Sequence, residues 1–92
     1  MSEPKPYCVY ILACADGTLY TGITNDLERR LNQHQSGKGA KYVNARRRPV
    51  KLVHSEGPFE DKGTALKREH QIKQLSKAEK QDLVDSSQTQ VA

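Results

Sequence analysis

The fold is decided by residues 7–24, which read YCVYILACADGTLYTGIT. Residues 7–14 form an unbroken run of apolar, β-branched and aromatic side chains of strand length, and residues 18–24 form a second strand-like run. The residues between them, Ala15-Asp16-Gly17, have the composition of a tight turn. This stretch therefore predicts a β-hairpin around which the rest of the chain can be placed.

The length of the turn determines what the hairpin presents on its two faces. A two-residue loop, Asp16-Gly17, would put Tyr10 and Tyr20 on opposite faces of the sheet. A three-residue loop with Gly17 in the left-handed conformation would put both phenols on one face, with Tyr10 opposite Gly22. We predict the second register, in which the missing side chain of Gly22 leaves an open pocket beside Tyr10. Taken singly, either tyrosine is also typical of an ordinary half-buried strand.

The next part of the chain predicts a helix and a third strand. The helix is expected to begin after a cap at Thr24 or Asn25 and to end at Ser36-Gly37. A short alternating strand is expected at residues 50–55. We expect Gly57-Pro58 to break the chain after this strand.

The second half of the chain predicts two more helices. One is expected at about residues 60–75, and a capping box at residues 76–79 opens a short last helix that reaches about residue 84. The order β-β-α-β-α-α is that of a single small α/β (α+β) domain, which we place at residues 7–84. The polar ends, residues 1–6 and 85–92, are expected to be disordered tails.

Length and composition exclude several classes of protein. The chain has 92 residues, enough for one domain, and two cysteines, too few for a disulfide scaffold. It contains no apolar run of the ~18 residues that a membrane-spanning helix needs, and its N-terminus lacks the apolar stretch of a secretory signal. We therefore expect a cytoplasmic protein with reduced thiols and no membrane partner.

Positive charge is concentrated in the middle of the chain. The formal net charge is +4, yet residues 29–55 contain eight basic and no acidic side chains, which leaves seven basic and eleven acidic side chains elsewhere. A local excess of this size is typical of a surface that binds nucleic acid, although a basic loop that only aids solubility has the same composition. The expected nucleic-acid-binding side chains are Lys38, Lys41, Arg46, Arg47, Arg48 and Lys51.

Two predicted helices carry polar side chains on their apolar stripes. On the first helix, His34 lies within a stripe formed with two leucines, and Arg30 lies at its edge, one turn away. A histidine in this position is also typical of an ordinary core residue. On the second helix, Glu69 lies inside the apolar stripe, where a carboxylate needs a cation or a hydrogen-bond donor. That partner is either an Arg or Lys side chain or a divalent metal ion.

Brought together, these side chains suit one kind of chemistry. A single carboxylate suits one Mg²⁺ or Mn²⁺ ion that takes its other ligands from water and phosphate. An arginine can bind the phosphate, and a tyrosine near a cation can accept a proton from water. The set therefore fits metal-assisted hydrolysis of a phosphodiester, whereas the sequence has no zinc motif or Gly-rich nucleotide loop. The candidate catalytic residues are Tyr10, Tyr20, Arg30, His34 and Glu69.

The same residues resemble the signature of a known family. Cys8-Val9-Tyr10, followed by Tyr20-Thr21-Gly22, resembles the paired motif of the GIY-YIG nuclease superfamily, with Cys8 in place of the first glycine. Residues 26–34 are similar to the arginine-bearing helix of that superfamily, and Glu69 matches its metal-binding glutamate. The likeness extends over about residues 7–84 and is greatest to the small stand-alone bacterial (YhbQ-like) members.

The resemblance implies a three-stranded antiparallel sheet flanked by helices. It implies an endonuclease that cleaves DNA with one divalent ion, Mg²⁺ or Mn²⁺, held by Glu69. By the same likeness, Tyr10 and Tyr20 are the catalytic tyrosines, one of them the general base. Arg30 would hold the scissile phosphate, and His34 stands where relatives have His or Tyr. We expect preference for DNA structure, or weak selectivity, in DNA repair or processing, with RNA as an alternative substrate.

Two departures from the family pattern support a second hypothesis. Ile23 stands where some repair relatives carry a lysine that could help to deprotonate the base, and no asparagine follows Glu69. The alternative is therefore a nucleic-acid-binding module of the same fold with weak or no catalysis. A third hypothesis is a protein-interaction domain whose basic patch binds an acidic partner.

Overall fold

The computed structural model describes residues 6–37 and 47–89. They form three strands and three helices, in the chain order β1 (Tyr7–Cys14), β2 (Leu19–Thr24), α1 (Leu27–Gln35), β3 (Val50–Phe59), α2 (Lys62–Lys73) and α3 (Lys77–Thr89). The strands form one antiparallel sheet in the order β2-β1-β3. The predicted order of elements and the three-stranded antiparallel sheet with flanking helices are both confirmed.

The hairpin adopts the predicted three-residue turn. Tyr10 is paired with Gly22, and Leu12 is paired with Tyr20. Gly17 has a φ of 87°, a conformation that a residue without a Cβ adopts at little cost. Because residues two apart on a strand share a face, the two tyrosines lie on the same side of the sheet.

Each face of the sheet is covered by helices and holds its own apolar cluster. α2 and α3 cover one face, where the buried side chains are Val9, Ile11, Ala65, Ile72 and Val84. α1 covers the other face, where the buried side chains are Tyr10, Leu12, Cys14 and Val50. Successive residues of β1 therefore contribute to opposite layers, and removal of both apolar sets from water is the main force that holds the layers together.

The N-cap of α1 is Asp26, so the prediction of a cap at Thr24 or Asn25 is wrong. Asp26 Oδ1 accepts a hydrogen bond from the backbone N–H of Arg29 at 3.2 Å. The Thr24 hydroxyl instead accepts from the Asp26 N–H at 3.0 Å and orders the turn before the helix. The predicted end of the helix at Ser36-Gly37 is confirmed, since Ser36 is the C-cap and Gly37 has a φ of 84°.

β3 runs to Phe59 and is longer than the predicted residues 50–55. Gly57-Pro58 does not break the strand, because Gly57 adopts a φ of 133° and passes close to β1. A Cβ on Gly57 would lie 3.1 Å from the Cβ of Cys8. This irregularity coincides with a shift of register next to Tyr7, after which Tyr7 is paired with Phe59.

The last two helices begin at well-formed caps. Asp61 caps α2 by accepting a hydrogen bond from the helix backbone at 2.7 Å. Ser76 and Glu79 form the predicted capping box, with bonds of 2.9 and 3.1 Å. α3 continues to Thr89 instead of ending near Val84. None of the helices in the described ranges is long and apolar enough to cross a membrane.

Candidate active site

Tyr10 lies in β1 on the face that α1 covers, and only 1% of its surface is exposed. Its ring extends across Gly22 of the edge strand β2, because a Cβ on Gly22 would lie 2.6 Å from the Tyr10 hydroxyl oxygen. No side chain could occupy that position unless the phenol moved. The prediction of an open pocket beside Tyr10 is therefore wrong: the phenol itself fills the space above Gly22.

α1 brings Arg30 and His34 to the Tyr10 hydroxyl. The two residues are one helical turn apart and so lie on the same side of the helix. Nε2 of His34 lies 2.8 Å from the hydroxyl oxygen, and Nε–H of Arg30 donates to the same oxygen at 3.4 Å. His34 is fully buried, and its Nδ1 has no hydrogen-bond partner among the described residues. The phenolic oxygen is thus the junction between an imidazole and a guanidinium.

Tyr20 completes the aromatic part of this cluster. Its ring centroid lies 6.2 Å from that of Tyr10 and 5.3 Å, edge-on, from that of His34. Hydrogen bonding to Tyr10 raises the pKa of Arg30, and interaction with Tyr20 adds to the effect. The structure therefore brings together four of the five candidate catalytic residues by direct contact.

Burial controls the protonation of the cluster. Desolvation raises the pKa of Tyr10 to about 12, and the hydrogen bond from Arg30 opposes this shift. Burial, and then the nearby charge of Arg30, lower the pKa of His34 from its ordinary value of 6.5. At neutral pH, Tyr10 is therefore a neutral phenol and His34 a neutral imidazole. A neutral imidazole can accept the phenolic hydrogen at Nε2.

Glu69 belongs to α2, which packs on the opposite face of the sheet. Its side chain is 18% exposed, and one carboxylate oxygen lies 3.5 Å from Nζ of Lys73 in the next helical turn. The negative charge of Glu69 contributes to the raised pKa of Tyr10. The carboxylate is therefore within electrostatic range of the phenol, and Lys73 is the cationic partner that it has in this structure.

Glu69 offers a single carboxylate, and a hard divalent ion with few protein ligands could bind to it. The described residues contain no group of three or more His, Cys, Asp or Glu side chains that could hold a metal ion. Glu69 would supply one carboxylate, and water and phosphate oxygens would complete the coordination, as Mg²⁺ and Mn²⁺ allow. Lys73 is 50% exposed, and an exposed ion pair is worth at most ~1 kcal/mol, so it does not prevent such binding.

The predicted nucleic-acid-binding residues are only partly covered by the structure. Those at residues 38–46 lie outside the described residues: Lys38, Lys41 and Arg46. Those that can be placed stand at the start of β3: Arg47, Arg48 and Lys51.

Two of the placed basic residues also hold this part of the fold together. Nε of Arg47 lies 3.1 Å from the carboxylate of Asp16 in the hairpin turn. Nη1 of Arg48 donates to the backbone carbonyl of Gln35 at the end of α1, at 3.3 Å. Lys51 is exposed. Arg47 and Arg48 therefore anchor the chain just before β3 to the hairpin turn and to the end of α1.

Sequence reasoning missed Gln33, which also contacts the cluster. Its Oε1 accepts a hydrogen bond from Nη1 of Arg30 at 3.1 Å. Both residues line a cavity of about 260 Å³ at the start of α1, which Arg29 and Asn25 line as well. The spacing of three residues between Arg30 and Gln33 was the available signal, because such residues are neighbours on a helix.

A second polar cluster, on the α2 and α3 face, was also missed. The carboxylate of Glu56 lies 2.7 Å from Nε2 of His54 and accepts bonds of 2.6 and 2.9 Å from Arg68. The hydrogen bonds from Arg68, more than those from His54, lower the pKa of Glu56. This cluster ties β3 to α2 at the residue before Glu69. The alternation of His54 and Glu56 along the strand was the signal that they share a face.

Comparison with known proteins shows which family the chain resembles. The GIY-YIG catalytic domain family matches residues 6–82. A UPF0213 protein of Natronomonas pharaonis is 55% identical over 76 residues, which cover 83% of this chain and 87% of that protein. A UPF0213 protein of Syntrophus aciditrophicus is 57% identical over 77 residues, which cover 83% of this chain and 86% of that protein.

Solved structures show the same likeness. The solution NMR structure of a UPF0213 protein from Bacillus halodurans matches with a TM-score of 0.56 at 40% identity and covers 94% of this chain and 96% of that one. That of a protein from E. faecalis gives a TM-score of 0.61 at 39% identity, covering 94% of this chain and 90% of that one. The family model covers most of the chain, and relatives of more than 50% identity cover over four fifths of it, so the chain belongs to the GIY-YIG family of nuclease-type catalytic domains.

Proposed function

We propose that the protein is an endonuclease that hydrolyses phosphodiester bonds in DNA with one Mg²⁺ or Mn²⁺ ion. The observation that carries this function is the convergence on Oη of Tyr10, which has Nε2 of His34 at 2.8 Å and Nε of Arg30 at 3.4 Å. A buried phenol between a neutral base and a cation is suited to moving a proton beside an anionic substrate. Membership of the GIY-YIG family supports the same class of reaction.

Tyr10 and His34 form the proton path. With a pKa of about 12, the Tyr10 phenol keeps its proton at neutral pH and can accept another only if it gives up its own. His34 is neutral because burial lowers its pKa, so its Nε2 can take that proton. As the attacking water loses a proton to Oη of Tyr10, the phenolic proton passes to His34. The water oxygen bonds to phosphorus, the bond to the leaving oxygen breaks, and solvent protonates the leaving oxygen.

Arg30 and Tyr20 bind or position the substrate and take no part in the proton path. Arg30 stays charged, since hydrogen bonding to Tyr10 raises its already high pKa, and it binds the scissile phosphate and the charge that develops there. Tyr20, with its ring 6.2 Å from that of Tyr10, positions the water or the phosphate. The cavity beside Arg30 gives the substrate room to approach.

Glu69 holds the divalent ion. The ion, when bound, neutralises negative charge on the phosphate. In the free protein, the carboxylate of Glu69 helps to keep Tyr10 protonated, because its charge contributes to the raised pKa of the phenol.

The proposed choice of substrate rests on the basic residues in the middle of the sequence. Phosphate contacts from Lys and Arg side chains position a duplex without reading its bases. We therefore assign preference for DNA structure, or weak selectivity, and a role in DNA repair or processing in the cytoplasm. The contacting residues in this proposal are Lys38, Lys41, Arg46, Arg47, Arg48 and Lys51.

A nucleic-acid-binding module with weak or no catalysis is the second candidate. Ile23 packs against the apolar cluster of the α2 and α3 face, so this position supplies no ammonium group to assist Tyr10. The ion pair of Glu69 with Lys73 also competes with a metal ion for the carboxylate. Both observations favour a slow enzyme or a binding protein over a fast nuclease.

Cleavage assays on purified protein separate the two candidates. Supercoiled plasmid and labelled flap, nicked, single-stranded and duplex substrates, as DNA and as RNA, are incubated with Mg²⁺ or Mn²⁺. Cleavage that is lost in Tyr10→Phe and in Glu69→Ala but kept in His70→Gln, at an exposed residue of α2, supports the nuclease. Binding that weakens steeply with salt, without cleavage, supports the module. Cleavage that is equal in all variants would mean that the site is misassigned, and absence of salt-dependent binding would point to an acidic protein partner.

A further inference from the structure

Gln33, an uncharged side chain outside the set of candidate catalytic residues, hydrogen-bonds the guanidinium of Arg30. Its Oε1 accepts from Nη1 of Arg30 at 3.1 Å, while Nε of the same guanidinium donates to Tyr10 at 3.4 Å. Gln33 and Arg30 are both partly buried. The guanidinium is therefore held from two sides, by the tyrosines of the sheet and by Gln33 of its own helix.

The second of these contacts is needed for a defined orientation. The bond to Tyr10 is long, at 3.4 Å, and the hydrogen bond with Tyr20 contributes less to the pKa of Arg30 than the bond to Tyr10, so the tyrosines alone leave the flexible arginine side chain some freedom to turn. The shorter bond from Nη1 to Gln33 removes that freedom and leaves the remaining N–H donors of the fork in a fixed direction. A phosphate that binds to Arg30 then meets a donor array that is already oriented, and this lowers the cost of forming the reactive geometry.

We propose that Gln33 is a positioning residue that fixes the guanidinium of Arg30 for the scissile phosphate. The inference rests on the proposed function for its effect on cleavage, but the placement of Arg30 can be measured without cleavage. Gln33 touches neither the attacking water nor the reacting phosphorus in this proposal; it acts through Arg30.

The chain contains a matched control for this contact. On α2, Nη1 of Arg68 donates to Oε1 of Gln71 at 3.3 Å, with the same spacing of three residues. The guanidinium of Arg68 is already held by two bonds to Glu56, of 2.6 and 2.9 Å. Removal of the Gln71 amide should therefore leave Arg68 in place, whereas removal of the Gln33 amide should release Arg30.

The test compares Gln33→Met, Gln33→Glu and Gln71→Met with the wild-type protein. Solvent exchange of each arginine Nε–H is measured by ¹⁵N-edited NMR, and single-turnover cleavage and duplex affinity are measured on the same preparations. We expect Gln33→Met to speed exchange at Arg30 and to slow cleavage by about 10- to 100-fold, with duplex affinity unchanged. Gln33→Glu keeps an acceptor and should keep slow exchange at Arg30, with weaker duplex affinity because its carboxylate offsets the guanidinium charge. Gln71→Met should alter none of these quantities.

Each result bears on the proposal in one direction. If the Nε–H of Arg30 exchanges with solvent at the wild-type rate in Gln33→Met, the proposal is overturned. It is also overturned if exchange becomes faster but cleavage keeps its wild-type rate. If Gln71→Met loses as much cleavage as Gln33→Met, the loss comes from weakening of a helix in general. That result would also overturn the proposal. If the wild-type protein cleaves no substrate, the proposed nuclease function fails, while faster exchange at Arg30 in Gln33→Met alone would still establish that Gln33 places the guanidinium.

Discussion

The hydroxyl oxygen of Tyr10 and Nε2 of His34 are 2.8 Å apart, and neither side chain has more than 1% of its surface exposed. One group comes from the middle strand of the sheet and the other from the last turn of α1. A polar contact that is removed from water in this way is strong and costly to break. It also links the two groups whose protonation the proposed reaction requires.

Replacement of Tyr10 by phenylalanine tests the proton path most directly. The ring stays in its apolar surroundings, so Tyr10→Phe should fold, with a loss of about 1 kcal/mol from the unpaired His34. Loss of the hydroxyl should slow single-turnover cleavage by about 100-fold or more and leave duplex affinity unchanged. His70→Gln, at an exposed residue of α2, is the control. Full activity in Tyr10→Phe would remove the phenol from the mechanism.

The pH dependence of stability and of cleavage should reflect the protonation of His34. Its folded pKa is lowered below 6.5, so the unfolded chain binds the proton more readily than the folded protein does. Its contribution to stability is therefore complete above pH 6.5 and is lost as the pH falls through the lowered folded value. Cleavage should decline over the same range, because a protonated His34 cannot accept from Tyr10. In His34→Phe the residual rate should lose this acid limb, whereas replacement of the exposed His70 by glutamine should preserve it.

Gly22 should tolerate no side chain. In Gly22→Ala the new Cβ would lie 2.6 Å from the Tyr10 hydroxyl oxygen and 2.8 Å from its ring carbon Cζ. We expect a loss of about 1–3 kcal/mol in the free energy of unfolding, together with loss of cleavage as the phenol is displaced. Gly63→Ala in α2 is the matched control. Its new Cβ would lie 3.4 Å from the nearest atom, Oδ1 of Asp61, which is an ordinary van der Waals distance. Chemical denaturation and cleavage assays on both variants provide the comparison, and equal stability of the two would contradict the crowding argument.

Glu69→Gln tests two proposed roles of the carboxylate, which are its effect on the pKa of Tyr10 and its binding of the divalent ion. Because the charge of Glu69 contributes to the raised pKa of Tyr10, its removal should lower that pKa, as measured by NMR titration of the tyrosine ring carbons. The variant should also lose Mn²⁺-induced line broadening at α2 and lose cleavage by about 100-fold or more. Glu60→Gln, an exposed carboxylate between β3 and α2, is expected to change neither. An unshifted Tyr10 titration in Glu69→Gln would show that the carboxylate is electrostatically remote from the phenol.

Arg68→Met should lower stability in a pH-dependent way. The bonds from Arg68 hold the pKa of Glu56 below its ordinary 4.5, so this stabilisation is present above pH 4.5 and is lost as the pH falls through the folded value. At pH 7 we expect the variant to lose about 2 kcal/mol in the free energy of unfolding. The difference from wild type should shrink towards pH 3 in urea titrations. Lys67→Met, at the exposed neighbouring residue, serves as the reference; an equal loss at both pH values would argue against the ion pair as its source.

The sequence was sufficient for the features that depend on local patterns. The turn at Ala15-Asp16-Gly17 determined the register and so the common face of Tyr10 and Tyr20. Helical spacing placed Arg30 and His34 on one side of α1, and that side does meet the tyrosines. These predictions succeeded because strand and helix periods determine which side chains share a face.

Features that depend on contacts between distant parts of the chain could not be predicted from the sequence. Gly57-Pro58 looked like a break, yet the close approach of Gly57 to Cys8 in the neighbouring strand lets β3 continue. The space above Gly22 looked open because the position of the Tyr10 ring depends on packing against α1. Asp26 replaced the predicted cap because the Thr24 hydroxyl was already used in the preceding turn.

The placement of α1 and α2 on opposite faces of the sheet has a consequence for the newly made chain. The histidine and arginine reach the phenol from one side, and the glutamate belongs to a helix on the other. A chain with only α1 docked would lack Glu69, and a chain with only α2 docked would lack Arg30 and His34. Under the proposed function, neither form would cleave DNA, so activity would appear only when both layers are assembled.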